Sequence, residues 1–431
     1  MGRQAVSDLD LEALEKVIRQ QVLQLAARAL EQWLNSDLSD EAGPHLACPC
    51  GAQARYAGRR AKQFCSVLGP LRLERAYYHC SACGHGFCPR DRRLGLENSS
   101  LSPGITRMVA TVGARVSFQE GSEFLQELAG VSVDAKQVER TAEALGAEIA
   151  QDERHDLEPA DALPLPSTLY LGIDGTGIPL RREALEGRAG KQPDGSAKTR
   201  EVKLCTVWSA ESRDPQGSPV RDPGSVTYTA ALESAASLDT APQGSEFSQR
   251  VWREATRRRF TQARHRVVLG DGAPWIWNLA QELFPDAVQI VDRFHAQEHL
   301  SNLGKALYGP TDPRASTWAR RRHAQLEAGR FPALLAALRR QLPTGDEARR
   351  CLHYFQTNRH RMAYSDFHAQ GLCTSTGVVE AGCKVAIGAR LKCAGMHWTV
   401  PGSNAIIALR CCQLSGRFQD FWERRATRKA A

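Results

Sequence analysis

Two short cysteine pairs lie in the first quarter of the chain, one in the sequence CPCG and the other in CSACG. The segment between them is rich in β-branched, aromatic and alternating residues. The glycines that follow the pairs, Gly51 and Gly84, permit the positive φ of a tight turn that points two sulfur atoms at one ion. This pattern predicts a zinc ribbon over residues 46–96, with Zn²⁺ as a structural cofactor. The predicted ligands are Cys48, Cys50, Cys80 and Cys83.

The cysteine content also bears on the cellular compartment. The chain has 13 cysteines, and six of them lie within 41 residues, which metal binding explains better than disulfides in a reducing compartment. The first pair is one residue shorter than usual, so Cys65 or Cys88 could be a substitute ligand, and free structural thiols are the alternative to a metal site. The first residues lack the apolar core of a signal peptide, and no stretch approaches 18 apolar residues. We therefore expect a cytoplasmic protein with no membrane partner.

Apolar residues recur at three- and four-residue steps from Leu9 to Trp33, which predicts one long amphipathic helix. Residues 1–50 carry four basic and eight acidic side chains, so this helix should avoid DNA. A single helix cannot bury its own apolar stripe. The stripe packs either on the rest of the chain or on a second copy, which makes residues 1–45 a candidate for oligomerisation. Its members are Leu11, Leu14, Ile18, Val22, Leu25 and Leu30.

The next segments have the opposite charge balance. Residues 51–100 carry nine basic and three acidic side chains and should be attracted to DNA. Residues 97–152 have the layout of a helix-turn-helix, with a first helix that ends at Leu128, a turn that contains Gly130, and a second helix that carries Arg140. The second helix is the predicted reader of DNA, and Arg140 is a predicted contact. An ordinary two-helix hairpin with a glycine turn is the alternative.

A proline-rich stretch, residues 154–168, is typical of a linker, and three strand-like apolar runs follow it, each ending in an aspartate. One aspartate after a strand is commonplace because it can cap the next helix. Three such strands that alternate with helices describe an α/β sheet with its site along one edge. Further strands are expected around residues 202–208 and 226–229. The three aspartates are Asp174, Asp271 and Asp292.

A basic helix with a single acid follows much later in the chain. Glu380 is that acid, and Lys384, Arg390 and Lys392 are its basic neighbours. A carboxylate on such a helix is most simply explained as a metal ligand beside a phosphate-binding face, so the three basic residues are predicted DNA contacts. Trp398, further along, either stacks on an unpaired DNA base or is a core residue.

These blocks resemble the DDE transposases of bacterial insertion sequences, specifically the ISKra-type group, with a more distant likeness to Mutator-like transposases. The likeness runs over nearly the whole chain and is carried by CPCG, YYHCSACGHGF, LGIDGTG, GDGAPWIW, VDRFHAQEHL, GVVEAGCK and GMHW. It implies an α/β fold with an RNase H-like core, in which Asp174, Asp271 and Glu380 form the catalytic triad and hold Mg²⁺ or Mn²⁺. Asp292 and His295 match the Asp-x-x-His signature of that family. We expect them to act behind the metal ligands or to position DNA, although His295 can equally be an ordinary histidine at a helix start.

The remaining basic segments complete the predicted organisation. Residues 301–370 hold twelve basic and five acidic side chains, which favours an all-helical insertion that lies on DNA over a solvated helical lid. The tail from Arg410 to Ala431 has six basic and two acidic residues and should add backbone contacts. The expected segments are an amphipathic helix (1–45), a zinc ribbon (46–96), a helix-turn-helix region (97–152), the first part of the RNase H-like core (168–300), a basic helical insertion (301–372), and the catalytic helix with the basic tail (373–431).

The predicted function follows from the three acids Asp174, Asp271 and Glu380 and from the resemblance that they support. Cleavage of a phosphodiester needs an oxygen nucleophile and an alkoxide leaving group, and two Mg²⁺ ions about 4 Å apart stabilise both. The resemblance therefore implies a transposase that binds the terminal inverted repeats and target sites of double-stranded DNA, cleaves and joins them, acts as a homo-oligomer on DNA and is associated with the nucleoid. A noncatalytic or domesticated DNA-binding regulator, and an RNase H-like nuclease without strand transfer, are the alternatives.

Overall fold

The computed structural model describes residues 10–155, 164–190, 192, 195–235 and 244–430. The chain divides into two compact units, Met1–Leu145 with Phe418–Ala431, and Gly146–Arg417. The middle of the predicted linker, residues 156–163, lies outside the described residues. Within the described ranges, no helix has both the length and the apolarity that crossing a membrane requires.

The helices and strands alternate irregularly along the chain. Up to residue 155 they are α1 (Leu11–Ser36), β1 (His45–Ala47), β2 (Gln53–Ser66), β3 (Gly69–His79), β4 (Gly86–Phe87), α2 (Pro89–Arg93), α3 (Pro103–Arg115), α4 (Phe118–Phe124), a π-helical turn (Leu125–Ala129) and α5 (Ala135–His155). The strands that follow are β5 (Thr168–Pro179), β6 (Thr199–Ser209), β7 (Ser212–Arg213), β8 (Pro219–Val220), β9 (Thr227–Ala231), β10 (His265–Gly270) and β11 (Val288–Val291).

The helices after residue 155 are α6 (Glu246–Arg257), α7 (Pro274–Leu283), α8 (Arg293–Tyr308), α9 (Pro313–Glu327), α10 (Phe331–Arg339), α11 (Asp346–Thr357), α12 (Tyr364–Ala369), α13 (Gly377–Gly382), a π-helical turn (Cys383–Gly388), α14 (Ala389–Leu391), α15 (Val400–Leu414) and α16 (Phe418–Ala430). Short 3₁₀ turns lie at Arg182–Ala184, Phe260–Gln262, Leu342–Thr344 and Arg359–Arg361.

The cysteine pairs belong to a small antiparallel sheet in the first unit. Its strand order is β1-β2-β3-β4, and the register of β2 against β3 shifts between Tyr56 and Arg59. Gly58 lies at that shift with φ +87°, a conformation that glycine adopts at little cost. Tyr78 on β3 is completely buried, and its hydroxyl donates to the carbonyl of Gly43. The sheet therefore fixes the two turns that carry the cysteines.

Helix α1 packs on the small sheet through a face that includes only Leu30 of the predicted stripe. Ala27 is buried, and Leu30 and Leu34 pack on a cluster formed by β2, β3 and the residues after α2. At about 100° per residue, Ala27 lies roughly opposite Ile18 on the helix. Most of the predicted stripe is therefore exposed on a single chain. Its exposed members are Leu11, Ile18, Val22 and Leu25.

The region from residue 97 to 152 forms three helices joined by short turns. Helix α4 begins with a capping box, in which Ser117 and Glu120 satisfy each other's backbone N–H groups. The helix continues as the π-helical turn to Ala129, one residue beyond the predicted end, and Gly130 ends it in the left-handed conformation with φ +70°. Val138 on α5 is completely buried in the cluster that joins these helices.

The second unit is built on a mixed five-stranded sheet with the order β11-β10-β5-β6-β9. Strands β11, β10 and β5 are parallel, whereas β6 is antiparallel to both β5 and β9. The strands predicted around residues 202–208 and 226–229 are confirmed as β6 and β9. Because β5 lies at the centre, its residues from Leu169 to Ile173 are buried, as a continuous apolar run predicts.

Residues 301–372 are helical, as their composition predicts, but they do not begin a separate segment. Position 301 falls inside α8, which starts at Arg293 directly after β11. Leu303 on α8, Leu334 on α10 and Phe355 on α11 belong to the same hydrophobic cluster as the sheet residues. The helices therefore share the core of the sheet, because their apolar faces have no separate core to bury.

Candidate functional site

Two of the predicted acids lie at the same level on neighbouring parallel strands. Leu269 of β10 is in register with Gly172 of β5. Asp271 and Asp174 each come two residues later, so the pleat carries them to the same edge of the sheet. This edge is where a parallel pair presents the residues that follow its strands.

Strand β5 differs from the expectation that it ends at Asp174. It continues to Pro179, because its other neighbour, β6, pairs with it from Leu169 to Pro179. Asp174 therefore lies in mid-strand opposite Leu204, at the point where the parallel partner β10 stops. This arrangement fixes the Asp174 backbone more firmly than a strand tip would.

Both carboxylate oxygens of Asp174 accept hydrogen bonds. Oδ1 accepts from the N–H of Gly175 at 2.7 Å, and Oδ2 accepts from the Cys383 thiol at 3.3 Å. Burial raises the pKa of Asp174 above its ordinary value, and the charges of Asp271 and Glu380 raise it further. Burial likewise raises the pKa of Cys383, so that its thiol stays protonated and donates to the carboxylate. A cation beside Asp174 would relieve this accumulation of negative charge.

The third acid reaches the site from a helix that packs on the sheet. Glu380 lies on α13, where its backbone N–H donates to the carbonyl of Thr376 at 2.9 Å. Gly382 allows the close approach of this helix, because a Cβ there would lie 2.9 Å from Leu204 Cδ2 and 3.1 Å from Tyr228 Cε1. The helix then widens into the π-helical turn Cys383–Gly388, a feature that often accompanies functional sites.

These residues line one cavity of about 260 Å³. The cavity wall consists of Ile173, Asp174, Asp271, His295, Glu298, Thr376, Val379 and Glu380. Carboxylates are hard oxygen donors, the kind that Mg²⁺ and Mn²⁺ prefer. The volume equals that of several water molecules, at about 30 Å³ each. The donor set and the space therefore fit hydrated divalent cations together with a phosphate group.

Asp292 lies behind this cavity rather than in its wall. It is completely buried and caps α8, because its Oδ1 accepts from the N–H of His295 at 2.8 Å. Its Oδ2 accepts from both the N–H and the hydroxyl of Thr376, and the Thr376 hydroxyl also lies 3.3 Å from Glu380 Oε1. Asp292 thus connects the start of α8 to the loop that carries Glu380. His295 itself lies in the cavity wall, and its Nδ1 is 3.8 Å from Glu298 Oε2.

A second, basic depression of about 520 Å³ adjoins the acids. It shares Asp174 and Glu380 with the acidic cavity and adds Cys383, Lys384 and Lys392, of which the two lysines are exposed. The Lys392 ammonium donates to the Thr176 hydroxyl of β5. Two exposed ammonium groups beside three carboxylates can bind a phosphate backbone next to bound cations.

The structure contradicts two of the predicted DNA contacts on this segment. Arg390 is 0% exposed and Trp398 is 6% exposed. The Arg390 guanidinium lies 5.0 Å from the Trp398 ring centroid, and the Trp398 indole donates to the carbonyl of Leu391 at 3.1 Å. The backbone N–H of Trp398 also donates to the carbonyl of Pro179 at the end of β5. Both side chains form core packing, because the basic helix turns this face toward the sheet.

The cysteine pairs of the first unit form a compact four-thiol cluster. The ligand sulfur atoms of all four residues lie within 4.8 Å of one another, with Cys48 and Cys83 at 3.6 Å and Cys50 and Cys80 at 3.7 Å. Tetrahedral Zn²⁺ with Zn–S bonds of about 2.3 Å places sulfur atoms about 3.8 Å apart, so the cluster could bind zinc. The pKa of the Cys80 thiol falls to about 7, chiefly because the backbone N–H of Cys83 donates a hydrogen bond to its sulfur.

The short spacing of the first pair needs no substitute ligand. Gly51 has φ +87° and its N–H donates to the carbonyl of Cys48, while Gly84 has φ +72° and donates to Cys80, which confirms the predicted glycine turns. Among the described residues, the cluster of side chains that could hold a metal ion contains neither Cys65 nor Cys88. The carboxylate oxygens of the acidic site lie farther apart than these sulfur atoms. Among the described residues, only the four cysteines have all their ligand atoms within 4.8 Å of one another.

The remaining predicted contact, Arg140, lies on the exposed surface of α5. Sequence reasoning missed three residues of the acidic site: Thr376, Glu298 and Cys383. Glu298 and Cys383 each lie three positions after a predicted site residue, His295 and Glu380, so helical periodicity could have indicated them. The role of Thr376 depends on the buried side chain of Asp292 and has no local sequence signal.

Comparisons with known proteins give little further information. No family model matches the chain, and no curated protein matches it. A solved structure that is similar to it is the Drosophila P element transposase strand transfer complex, with 10% sequence identity and a TM-score of 0.27 over 78% of this chain and 84% of that chain. A TM-score this low carries no argument about function.

Proposed function

We propose that this chain is a metal-dependent DNA transposase of the DDE type, with an RNase H-like core formed by its five-stranded sheet. The observation that carries the proposal is that Asp174, Asp271 and Glu380 line a single cavity. They are separated by 97 and 109 residues in the sequence. Such distant segments bring three carboxylates together at a sheet edge at the cost of charge repulsion, which bound cations would offset.

The chemistry of phosphoryl transfer fits this arrangement. Asp174, Asp271 and Glu380 would hold Mg²⁺ or Mn²⁺, and such cations stabilise negative charge on the attacking and leaving oxygens of a phosphodiester. Lys384 and Lys392 would bind the phosphates of the strand next to the cut. Asp292 acts indirectly, because its contact with Thr376 holds the loop that leads into the Glu380 helix.

His295 has a separate role in this proposal. Its side chain is 38% exposed and lines the cavity, so it can donate a hydrogen bond to a phosphate oxygen and position DNA. The binding of transposon ends is assigned to the first unit. There the ribbon would be held by Zn²⁺, and Arg140 on α5 would contact DNA in the second helix of the helix-turn-helix. The helices of residues 301–372 would add backbone contacts through their exposed arginines. Among the tail residues whose side chains the structure describes, no arginine is fully exposed and Arg410 is buried, so the tail would contribute less than its composition predicts.

A strand-transfer reaction tests the proposal. A labelled oligonucleotide with the end sequence of the element that encodes this protein is incubated with plasmid DNA and Mg²⁺ or Mn²⁺. Wild type and Glu380→Gln are compared with Glu347→Gln, a matched control at a glutamate outside the cavity wall. We expect joined product from wild type and from Glu347→Gln, and at least a hundredfold less from Glu380→Gln, as for loss of a group that stabilises transition-state charge.

The other outcomes separate the competing functions. Cleavage without joining by wild type would identify a nuclease. Specific end binding with neither cleavage nor joining would identify a noncatalytic DNA-binding protein. Loss of end binding in Glu380→Gln along with activity would mean that Glu380 supports the fold rather than the chemistry.

A further inference from the structure

We propose that Tyr354, on helix α11 of the helical segment, is a positioning residue that sets the metal affinity of the acidic site by holding Asp271 in place. This inference rests on the proposed metal site. The Tyr354 hydroxyl donates to the backbone carbonyl of Asp271 at 2.8 Å. Tyr354 is 83 residues away from Asp271 in the sequence, so the contact is made by tertiary structure alone.

The backbone after Asp271 fits tightly against the tyrosine ring. Gly272 has φ +104°, and a Cβ at this position would lie 2.5 Å from Tyr354 Cε2. Ala273 donates its N–H to Asp271 Oδ1 at 2.8 Å and thereby orients the carboxylate from the other side. Asp271 follows the end of β10, where no neighbouring strand extends its ladder beyond Gly270 in the described sheet. Tyr354 and Ala273 therefore supply the restraint that the sheet does not.

A stack of aromatic rings leads from Tyr354 to the cavity. The Tyr354 and His299 rings lie 4.0 Å apart between centroids in a stacked arrangement, and His299 contacts His295 edge to face at 5.6 Å. His295 lines the cavity that contains Asp271. Tyr354 is thus linked to the site at two points, through the Asp271 carbonyl and through the histidine pair. Movement of α11 would shift both the carboxylate and the cavity wall.

The helical segment also provides a matched control. Tyr364 donates its buried hydroxyl to the carbonyl of Val291 at 3.0 Å, so it makes the same kind of bond to the end of the next strand, β11. Tyr364→Phe removes an equivalent buried hydrogen bond without touching Asp271. Any difference in metal affinity between Tyr354→Phe and Tyr364→Phe therefore reports on Asp271, since the general loss of stability is shared.

The experiment is a calorimetric titration of Mn²⁺ into the full-length protein after the cysteine cluster has been filled with Zn²⁺. A net hydrogen bond contributes about 0.5–1.5 kcal/mol, so we expect Tyr354→Phe to bind Mn²⁺ about two- to twelvefold more weakly than wild type. Tyr364→Phe, whose lost bond lies beside Asp292 and not Asp271, should weaken Mn²⁺ binding less than Tyr354→Phe does and change the unfolding temperature by a similar amount. His299→Leu, which keeps the hydroxyl bond but removes the stacked ring, should give a smaller change in the same direction.

Each result decides between the inference and the function on which it rests. Mn²⁺ affinity in Tyr354→Phe equal to that of wild type overturns the positioning role. Undiminished Mn²⁺ binding in Asp271→Asn overturns the metal site and the inference with it. Binding that changes as expected, in a wild-type protein that neither cleaves nor joins DNA, refutes the transposase function but leaves the role of Tyr354 intact.

Discussion

Asp174 shows how a single residue can lower the stability of the metal-free protein while preparing it for a cation. A carboxyl group whose pKa is raised on folding, as that of Asp174 is, binds its proton more tightly in the folded chain. Its stabilising contribution is present at low pH and is lost as pH rises from the unfolded value through the folded value. At pH 7 the ionised Asp174 therefore costs the metal-free fold free energy.

We expect Asp174→Asn to raise the unfolding temperature of the metal-free protein at pH 7, by about 1–2 °C for each kcal/mol recovered. The difference should disappear as the pH falls below about 4, where the wild-type carboxyl is also neutral. Mn²⁺ should stabilise wild type but not Asp174→Asn. Differential scanning calorimetry measures all three effects. A variant that is less stable than wild type at pH 7 would mean that the hydrogen bonds to Asp174 outweigh its burial.

Residue types alone could not tell which basic side chains of the helix after Glu380 are exposed and which are buried in the core. Lys384 and Lys392 are exposed as their charge predicts, but Arg390 is buried against Trp398. Arg390 is six positions after Lys384 and two before Lys392, so at about 100° per residue a regular helix already turns it roughly 120° and 160° away from the two lysines. The π-helical turn Cys383–Gly388 changes the phase of the helix, and this turn could not be read from the sequence.

Among the secondary-structure elements, helix α1 exposes a stripe of large apolar side chains. Leu11 is 71% exposed and Leu25 is 70% exposed, and Ile18 and Val22 lie between them on the same face. Since a different face already packs on the ribbon sheet, we propose that this stripe contacts α1 of a second copy. Burial of such residues stabilises an interface by about 25 cal/mol for each Å² of apolar surface removed from water.

The double variant Ile18→Glu with Leu25→Glu should therefore convert an oligomer into a monomer. Light scattering coupled to size exclusion measures the mass in solution and on DNA. Gln20→Glu with Gln24→Glu adds the same charge away from the stripe and should leave the mass unchanged. A wild-type protein that is monomeric under both conditions would rule out self-association through α1.

The elements differed in how far the sequence determined them. The cysteine turns were predictable because local spacing and glycine positions specify them, and the strands β6 and β9 followed from apolar runs. The stripe of α1 was predictable as a stripe, but its partner was not, since periodicity does not say which face of a helix meets the core. The continuation of β5 past Asp174 was missed because β6, rather than the local sequence, extends it.

At the scale of the whole molecule, the order of acids along the chain was enough to suggest one site, but not how it is held. The contact of Asp292 with Thr376 and that of Tyr354 with Asp271 join segments 84 and 83 residues apart. Both depend on helices that share the core of the sheet. No local pattern in the sequence encodes such contacts, because tertiary packing decides them.

In the proposed function, Asp174, Asp271 and Glu380 jointly hold a divalent cation. Iron-mediated cleavage of the polypeptide tests this arrangement: Fe²⁺ replaces Mg²⁺ in the zinc-loaded protein, and ascorbate with peroxide generates radicals that cut the backbone near the bound iron. We predict cuts around residues 174, 271 and 380 together, suppressed by excess Mg²⁺ and lost in Asp271→Asn. Cuts that are absent from these three segments, or that persist unchanged in Asp271→Asn, would contradict the account.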